Sequence, residues 1–320
     1  MNLTRCASGH FYDSDMYILC PICNEARFKT TEDTPSSFRG FPYSGFDDFR
    51  LAEEIGSGSD CKIYHVQKLT NYALKIIGWE GQDTYNSALR EYEIAKRLHQ
   101  WDYFIHYEGC YEKENQVFLL QEMATPWPKY VKEHEVSVET ILRSIRTLCD
   151  ALSSMRFVGL LHTKVNPMCI FMKDGKVKLG GFDHVVPLKP GEKLKHGVFS
   201  LEYTSPELWT HNYCSGTEDI YSLGITMYYM FSGGRLPKHY IPRVPPKQKG
   251  PDQFSTMFIN SELLEIIKKA TAYLPTDRYS TPDELNEAIE GFMDSHEADM
   301  GETIWLAEEK FPDIDVDEYT

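Results

Sequence analysis

Four side chains near the N-terminus have the types and spacing to hold a metal ion. Cys6 and His10 lie four apart, and Cys20 and Cys23 form a Cys-Pro-Ile-Cys knuckle. Thiols spaced in this way on a tight turn can take adjacent corners of a tetrahedron. The Cys6/His10 pair completes a closed site of three thiolates and one imidazole, the chemistry of structural zinc. A segment of about 25 residues cannot bury enough core to fold alone, so the metal would supply the missing stability. A second kind of chemistry is signalled by Lys75, an isolated cation in the apolar run YALKII. A charge in such a strand calls for a partner.

The elements that must position these groups fall into segments. The 320 residues suffice for one large domain plus a small module, and 42% hydrophobic content is ordinary for a chain with a real core. Residues 1–27 form the Cys/His-rich module, and 28–48 are a polar, turn-rich linker. Residues 49–293 form the main domain, strand-like at first (IYHVQ, YALKII, VFLLQEM) and helical later. In VETILRSIRTLCDALSSM, the residues Ile141, Leu142, Ile145, Leu148, Cys149 and Leu152 share one helical face. Strands first and helices later imply an α+β architecture with a β-rich lobe, 49–124, and a helical lobe, 125–293. Residues 294–320 are an acidic tail that could dock through Ile304, Trp305, Leu306 and Phe311.

The net charge of −15 repels phosphate backbones and anionic lipid, which argues against nucleic-acid and membrane partners. The most apolar stretch, from Leu223 to Phe231, is too short to span a bilayer. Eight cysteines, three of them clustered and five scattered, suit a reducing cytoplasm.

Two resemblances follow. The N-terminal module is similar to a short zinc ribbon found at the start of some bacterial signalling proteins. From Phe49 onward, the chain resembles the eukaryotic-type protein kinase family, which implies a bilobal fold. EEIGSGSDCKIYHV looks like that family's glycine-rich loop, where Gly56 and Gly58 would let backbone approach phosphates, although Cys61 stands in place of the third glycine. YALKII matches the strand of the phosphate-binding lysine, here Lys75, and SALREYEIAKRL matches the helix whose Glu91 would pair with it. Ile55, Ile63 and Ala73 would roof an adenine, with Phe171 at the floor. YTSPELW, SGTEDIYSLGITMYYM and LPTDRYS resemble three structural landmarks. They imply a buried Glu207–Arg278 ion pair and an Asp219 that anchors the catalytic-loop backbone next to His162.

The same resemblance marks what is missing. In GLLHTKVNPMCIF, Thr163 stands for the family's arginine, Lys164 for its catalytic aspartate and Cys169 for its metal-binding asparagine. In KVKLGGFDHVV, Gly181 stands for its metal-binding aspartate. Loss of a general base alone costs about 10²–10⁴ in rate. A thiol is a poor ligand for magnesium, which prefers hard oxygens.

These losses imply a pseudokinase rather than an enzyme: a signalling scaffold or allosteric regulator of protein partners, with at most weak, magnesium-independent ATP binding. An alternative stays open, an atypical ATP-dependent transferase or kinase using Lys75 and a re-registered Asp183. Strand-like alternation would point residues 181 and 183 to the same side. The basic residues Lys189, Lys193, Lys195 and His196 offer a further surface for the acidic tail or a phosphorylated partner.

Overall fold

The protein was analysed as a computed structural model that describes residues 3–5, 11–13, 49–57, 62–68, 72–78, 81–113, 115–194, 202–237, 259–296, 301 and 303–304. The zinc-ligand candidates Cys6, His10, Cys20 and Cys23 lie outside these residues. So do Gly58, Lys195, His196, the 28–48 linker and Trp305, Leu306 and Phe311 of the tail. The chain divides into two compact units, residues 1–73 and 74–320.

In the first unit, β1 (Leu3–Arg5) pairs antiparallel with β2 (Phe11–Asp13). The longer β3 (Phe49–Ser57) pairs antiparallel with β4 (Lys62–Lys68), with Gly56 opposite Ile63. A register shift falls between Glu54 and Gly56, at Ile55. Such an irregularity bends a strand locally and increases its twist.

In the second unit, β5 (Tyr72–Gly78), which begins at the boundary, is followed by α1 (Gln82–Leu98), β6 (Tyr107–Lys113) and β7 (Gln116–Glu122). The three strands make a sheet in the order β5-β7-β6. Next come β8 (Thr125–Pro126), α2 (Trp127–Glu133), β9 (Val136–Ser137) and α3 (Val138–Phe157). The side chain of Ser137 accepts the N–H of Thr140 and so starts α3. All six apolar residues on the expected face of α3 are buried. Each such burial contributes about 1.5–3 kcal/mol.

The short β10 (Leu160–Leu161) precedes a hairpin of β11 (Ile170–Lys173) and β12 (Lys176–Leu179). Asp174 and Gly175 turn this hairpin with φ of 50° and 74°, the geometry of a two-residue primed turn. β8 adds to the other edge of β11, and β13 (Val186–Pro187) pairs with β10.

The remainder is helical: α4 (Pro206–His211), α5 (Glu218–Phe231), α6 (Ser261–Ala270) and α7 (Pro282–Ser295). Every residue of α5 is buried; the Thr226 hydroxyl donates to the Ser222 carbonyl, and the Ser222 hydroxyl lies within reach of the carbonyls of Tyr203, outside the helix, and Glu218. A Cβ at Gly224 would lie 2.7 Å from Thr271 Cγ2 and 2.9 Å from Ala270 Cβ, so this glycine lets the end of α6 approach closely. Finally β14 (Thr303–Ile304) pairs antiparallel with β9, Ile304 opposite Val136, so the start of the tail docks by backbone pairing. Among the described residues, no helix is long and apolar enough to cross a membrane.

Candidate functional site

The site begins at Lys75 on β5. Its Nζ donates to both oxygens of Glu91 on α1, at 3.1 and 3.0 Å. Glu91 is buried, and the Tyr107 hydroxyl also donates to its Oε1 at 2.7 Å. Burial would lower the pKa of Lys75. The carboxylates of Glu91 and then Asp183 outweigh burial and raise it, so the ammonium is held charged. The isolated cation of the apolar strand therefore has its partner.

The segment from His162 to Cys169 is held by its backbone. Asp219, near the start of α5, accepts the N–H of His162 at 2.8 Å and of Thr163 at 2.7 Å. Burial pushes the Asp219 carboxyl up to about 6, although those two N–H groups pull it down. Thr163 sits at φ 63°, and its hydroxyl donates to the His184 carbonyl. Buried His162 is pushed down to about 4, chiefly by desolvation. Its Nε2 lies 2.9 Å from the Gly180 carbonyl, and its Nδ1 accepts the Lys164 N–H. This network assigns the neutral ring its proton at Nε2. The ring also meets Phe182, which in turn contacts Tyr107 and Phe104.

Lys164 Nζ lies 2.9 Å from Asp183 Oδ2, and His184 Nε2 lies 3.1 Å from the same oxygen. Burial raises the Asp183 pKa, but the bond from His184 and the charge of Lys164 outweigh it and hold the carboxyl well below the usual range. Arg90 on α1 donates to the Asp183 carbonyl at 3.4 Å. Asp183 reaches this position without strand alternation. Gly181 is left-handed at φ 77°, and Phe182–His184 form a 3-10 turn, so the period-two expectation does not apply.

The two positions where the family places metal ligands face each other. A Cβ on Gly181 would lie 2.7 Å from Cys169 Sγ. Burial pushes the Cys169 thiol up to about 12, so it stays protonated. A neutral thiol, a glycine and a carboxylate already tied to Lys164 do not fit a magnesium ion, which needs several hard oxygen ligands. The four described residues of this cluster are therefore a charge site built from Lys75, Lys164 and Asp183, with Cys169 as its neutral wall. The adenine-floor candidate Phe171 packs close to Gly180, where a Cβ would lie 2.9 Å from the ring.

The remaining candidates lie elsewhere. Arg278 and Glu207 form a two-bond pair, both contacts 2.7 Å. Arg278 also donates to the carbonyls of Ala272 and Tyr273. Ala73 lies on β5, while Ile55, Gly56 and Ile63 lie in the strands of the first unit. Tyr107 and His184 escaped the sequence reading; a tyrosine in a strand and a histidine after a turn carry no signal of their own.

A partly open lysine bonded to a buried glutamate, a loop anchored through its backbone at His162 and Thr163, and the Glu207–Arg278 ion pair all fall in the second unit. A family model for the protein kinase domain matches residues 49–289, and the chain belongs to that family. It is 25% identical over 198 residues to the probable serine/threonine-protein kinase zyg-1 of Caenorhabditis elegans, covering 59% of this chain and 28% of that protein. It is 27% identical over 160 residues to calcium-dependent protein kinase SK5 of Glycine max, covering 48% and 31%. To the Aurora kinase of Saccharomyces cerevisiae it is 28% identical over 204 residues, covering 60% and 55%. The chain thus spans less than a third of the length of the first two relatives.

These matches correct one expectation. The substitutions at Lys164, Cys169 and Gly181 implied a chain that is not an enzyme, whereas the family and relatives named as protein kinases point to an enzyme. Residue types at single positions do not decide activity in this chemistry. Phosphoryl transfer passes through a loose transition state and depends mainly on positioning and electrostatic stabilisation.

Proposed function

We infer that the chain is an atypical ATP-dependent phosphotransferase that works with Lys75 and Asp183. The observation that carries this reading is the Lys75–Glu91 pair beside a carboxylate, Asp183, whose charge acts on Lys75. Lys75 holds the phosphates of ATP, and the Lys164 ammonium stabilises the charge that magnesium would otherwise meet. The γ-phosphorus forms a bond to an acceptor oxygen, its bond to the bridging oxygen of ADP breaks, and the acceptor proton passes to solvent. Asp183 is tied to Lys164 and His184, so its role is to hold Lys164 and balance the cations. Nucleotide binding is weak and independent of magnesium. Labelled phosphate from ATP should be transferred by the intact chain without magnesium. Lys75→Met and Asp183→Asn should each reduce transfer by about a hundredfold or more; transfer unchanged in both would refute the reading.

A signalling role as scaffold or allosteric regulator of protein partners in the cytoplasm is favoured by the structural anchors Asp219 and Glu207–Arg278, which keep a stable binding surface. The N-terminal module with one structural zinc on Cys6, His10, Cys20 and Cys23 is its adaptor. Metal analysis should give one zinc per chain, and Cys20→Ser should lose both the zinc and the partner in a pulldown. An intact chain free of zinc would rule out the adaptor.

A further inference from the structure

An ionic cluster at the end of β7 is not used by the chemistry above. Glu122 closes that strand with a side chain 7% exposed, and its Oε1 lies 2.9 Å from Lys178 Nζ. The same oxygen accepts the backbone N–H of His106 at 2.8 Å, and Oε2 accepts from Lys173 Nζ at 2.5 Å. Lys178, 5% exposed, also donates to the Phe104 carbonyl at 3.3 Å and meets Asp102 at 3.4 Å.

Stability does not account for this composition. Apolar residues of similar volume commonly serve as well as a buried ion pair or better, whereas removing one partner is strongly destabilising. What distinguishes the cluster is the set of segments it joins. Asp102, Phe104 and His106 lie in the loop after α1, the helix of Glu91. Lys173 ends β11, which follows Cys169. Lys178 lies on β12, which runs through Leu179 and Gly180 to Gly181 and Asp183. The backbone repeats the connection: Ile105 N–H donates to the Leu179 carbonyl at 2.9 Å, and Leu179 N–H donates to that of Tyr103 at 2.8 Å. Glu122 N–H donates to the His106 carbonyl at 2.9 Å.

We propose that Glu122 is a positioning residue: its buried carboxylate, with Lys178, fixes loop 102–106 against β12 and so sets Asp183 relative to the helix that carries Glu91. Its purpose rests on the reading of the site as a nucleotide site, but its test does not. Without this buried pair the loop and strand keep their backbone bonds, the exposed Lys176–Asp102 pair and the Phe104–Phe182 contact, which open more readily once the buried charges that clamp them are gone.

The experiment uses the full chain in four variants, Glu122→Gln, Lys178→Met, the double variant and Lys178→Arg, read by thermal unfolding and by hydrogen exchange. Each single neutralisation leaves a buried charge and lowers the melting temperature, and the double variant recovers most of that loss. In the double variant, peptides spanning 102–106 and 178–184 should nevertheless exchange about tenfold faster than in the wild type, while α7 is unchanged. Lys178→Arg, which keeps the charge, should stay within about threefold of the wild type at the same peptides. Wild-type exchange in the double variant, or loss of protection in Lys178→Arg equal to that in Lys178→Met, would overturn the proposal. If the double variant does not fold, Glu122→Gln decides: faster exchange confined to 102–106 and 178–184 supports it, and a uniform rise overturns it. Transfer assays on the same proteins separate the two ideas, since an inactive wild type refutes the phosphotransferase while the exchange pattern still decides Glu122.

Discussion

The anchors of the helical part and the charge site beside β5 are both made of ion pairs, yet they are built differently. Arg278 is sealed, its side chain unexposed, and it spends its donors on Glu207 and on carbonyls. Asp219 is likewise enclosed and bonded to two backbone N–H groups. Lys164 and Asp183 keep about a quarter of their side-chain surface open, and Lys75 keeps more. At the anchors, geometry admits one residue type, because a buried fork of donors must meet a fork of acceptors. In the charge site, open surface lets water and neighbouring ions substitute, so residue types can change while opposite charges still meet. Burial alone does not sort the departures, however: Thr163 and Cys169 are buried, while the retained Lys75 is more open than either.

The contrast can be broken in three ways. The largest effect should come from Arg278→Ala, which strands Glu207 and should cost about 3–5 kcal/mol in urea unfolding at pH 7. If Lys164→Ala cost as much, the distinction between sealed and open pairs would fail.

A pH test comes next. His162 is held neutral with its pKa depressed to about 4, so between pH 6.5 and 4 the unfolded chain binds the proton and the folded chain does not. Its contribution is present above about pH 6.5 and is lost as pH falls towards 4, by at most about 3 kcal/mol. Asp219, raised to about 6 by burial, works in the opposite direction over much of this range, so the wild-type curve alone is ambiguous. The stability advantage of the wild type over His162→Gln should therefore shrink steadily from pH 7 to 4. A constant difference would show that the ring is not held neutral.

The smallest effect should be that of Lys164→Ala on stability, about 1 kcal/mol or less, because its pair with Asp183 is partly exposed. The same substitution should weaken ATP binding measured without magnesium. Unchanged affinity would remove Lys164 from the site.

Much of this arrangement could be read from residue order. The apolar face of α3 follows from periodicity, while the buried α5 and the Lys75–Glu91 pair are legible through the family resemblance of SGTEDIYSLGITMYYM, YALKII and SALREYEIAKRL. Two features could not be read. Asp183 reaches Lys164 through a left-handed glycine and a 3-10 turn, local geometry that a period-two pattern does not encode. Glu122 and Lys178 sit in FLLQEM and KVKL, where alternating charges look like the solvent side of strands. Their burial arises because β12 is covered by the loop after α1, a long-range pairing with no local signature. The four Cys/His positions and most of the acidic tail lie outside the described residues, so the zinc expectation rests on spacing and the tail's on composition.

The close approach of Cys169 to Gly181 also ties the two positions to each other. The sulfur stands where the first side-chain atom of any residue at 181 would have to go, and the left-handed backbone there already disfavours a side chain. An aspartate placed at 181 by itself therefore meets an occupied space, and the Cys169 side chain must turn aside to admit it. The two positions therefore behave as one unit, and a metal-binding pair there has to be built by changing both together.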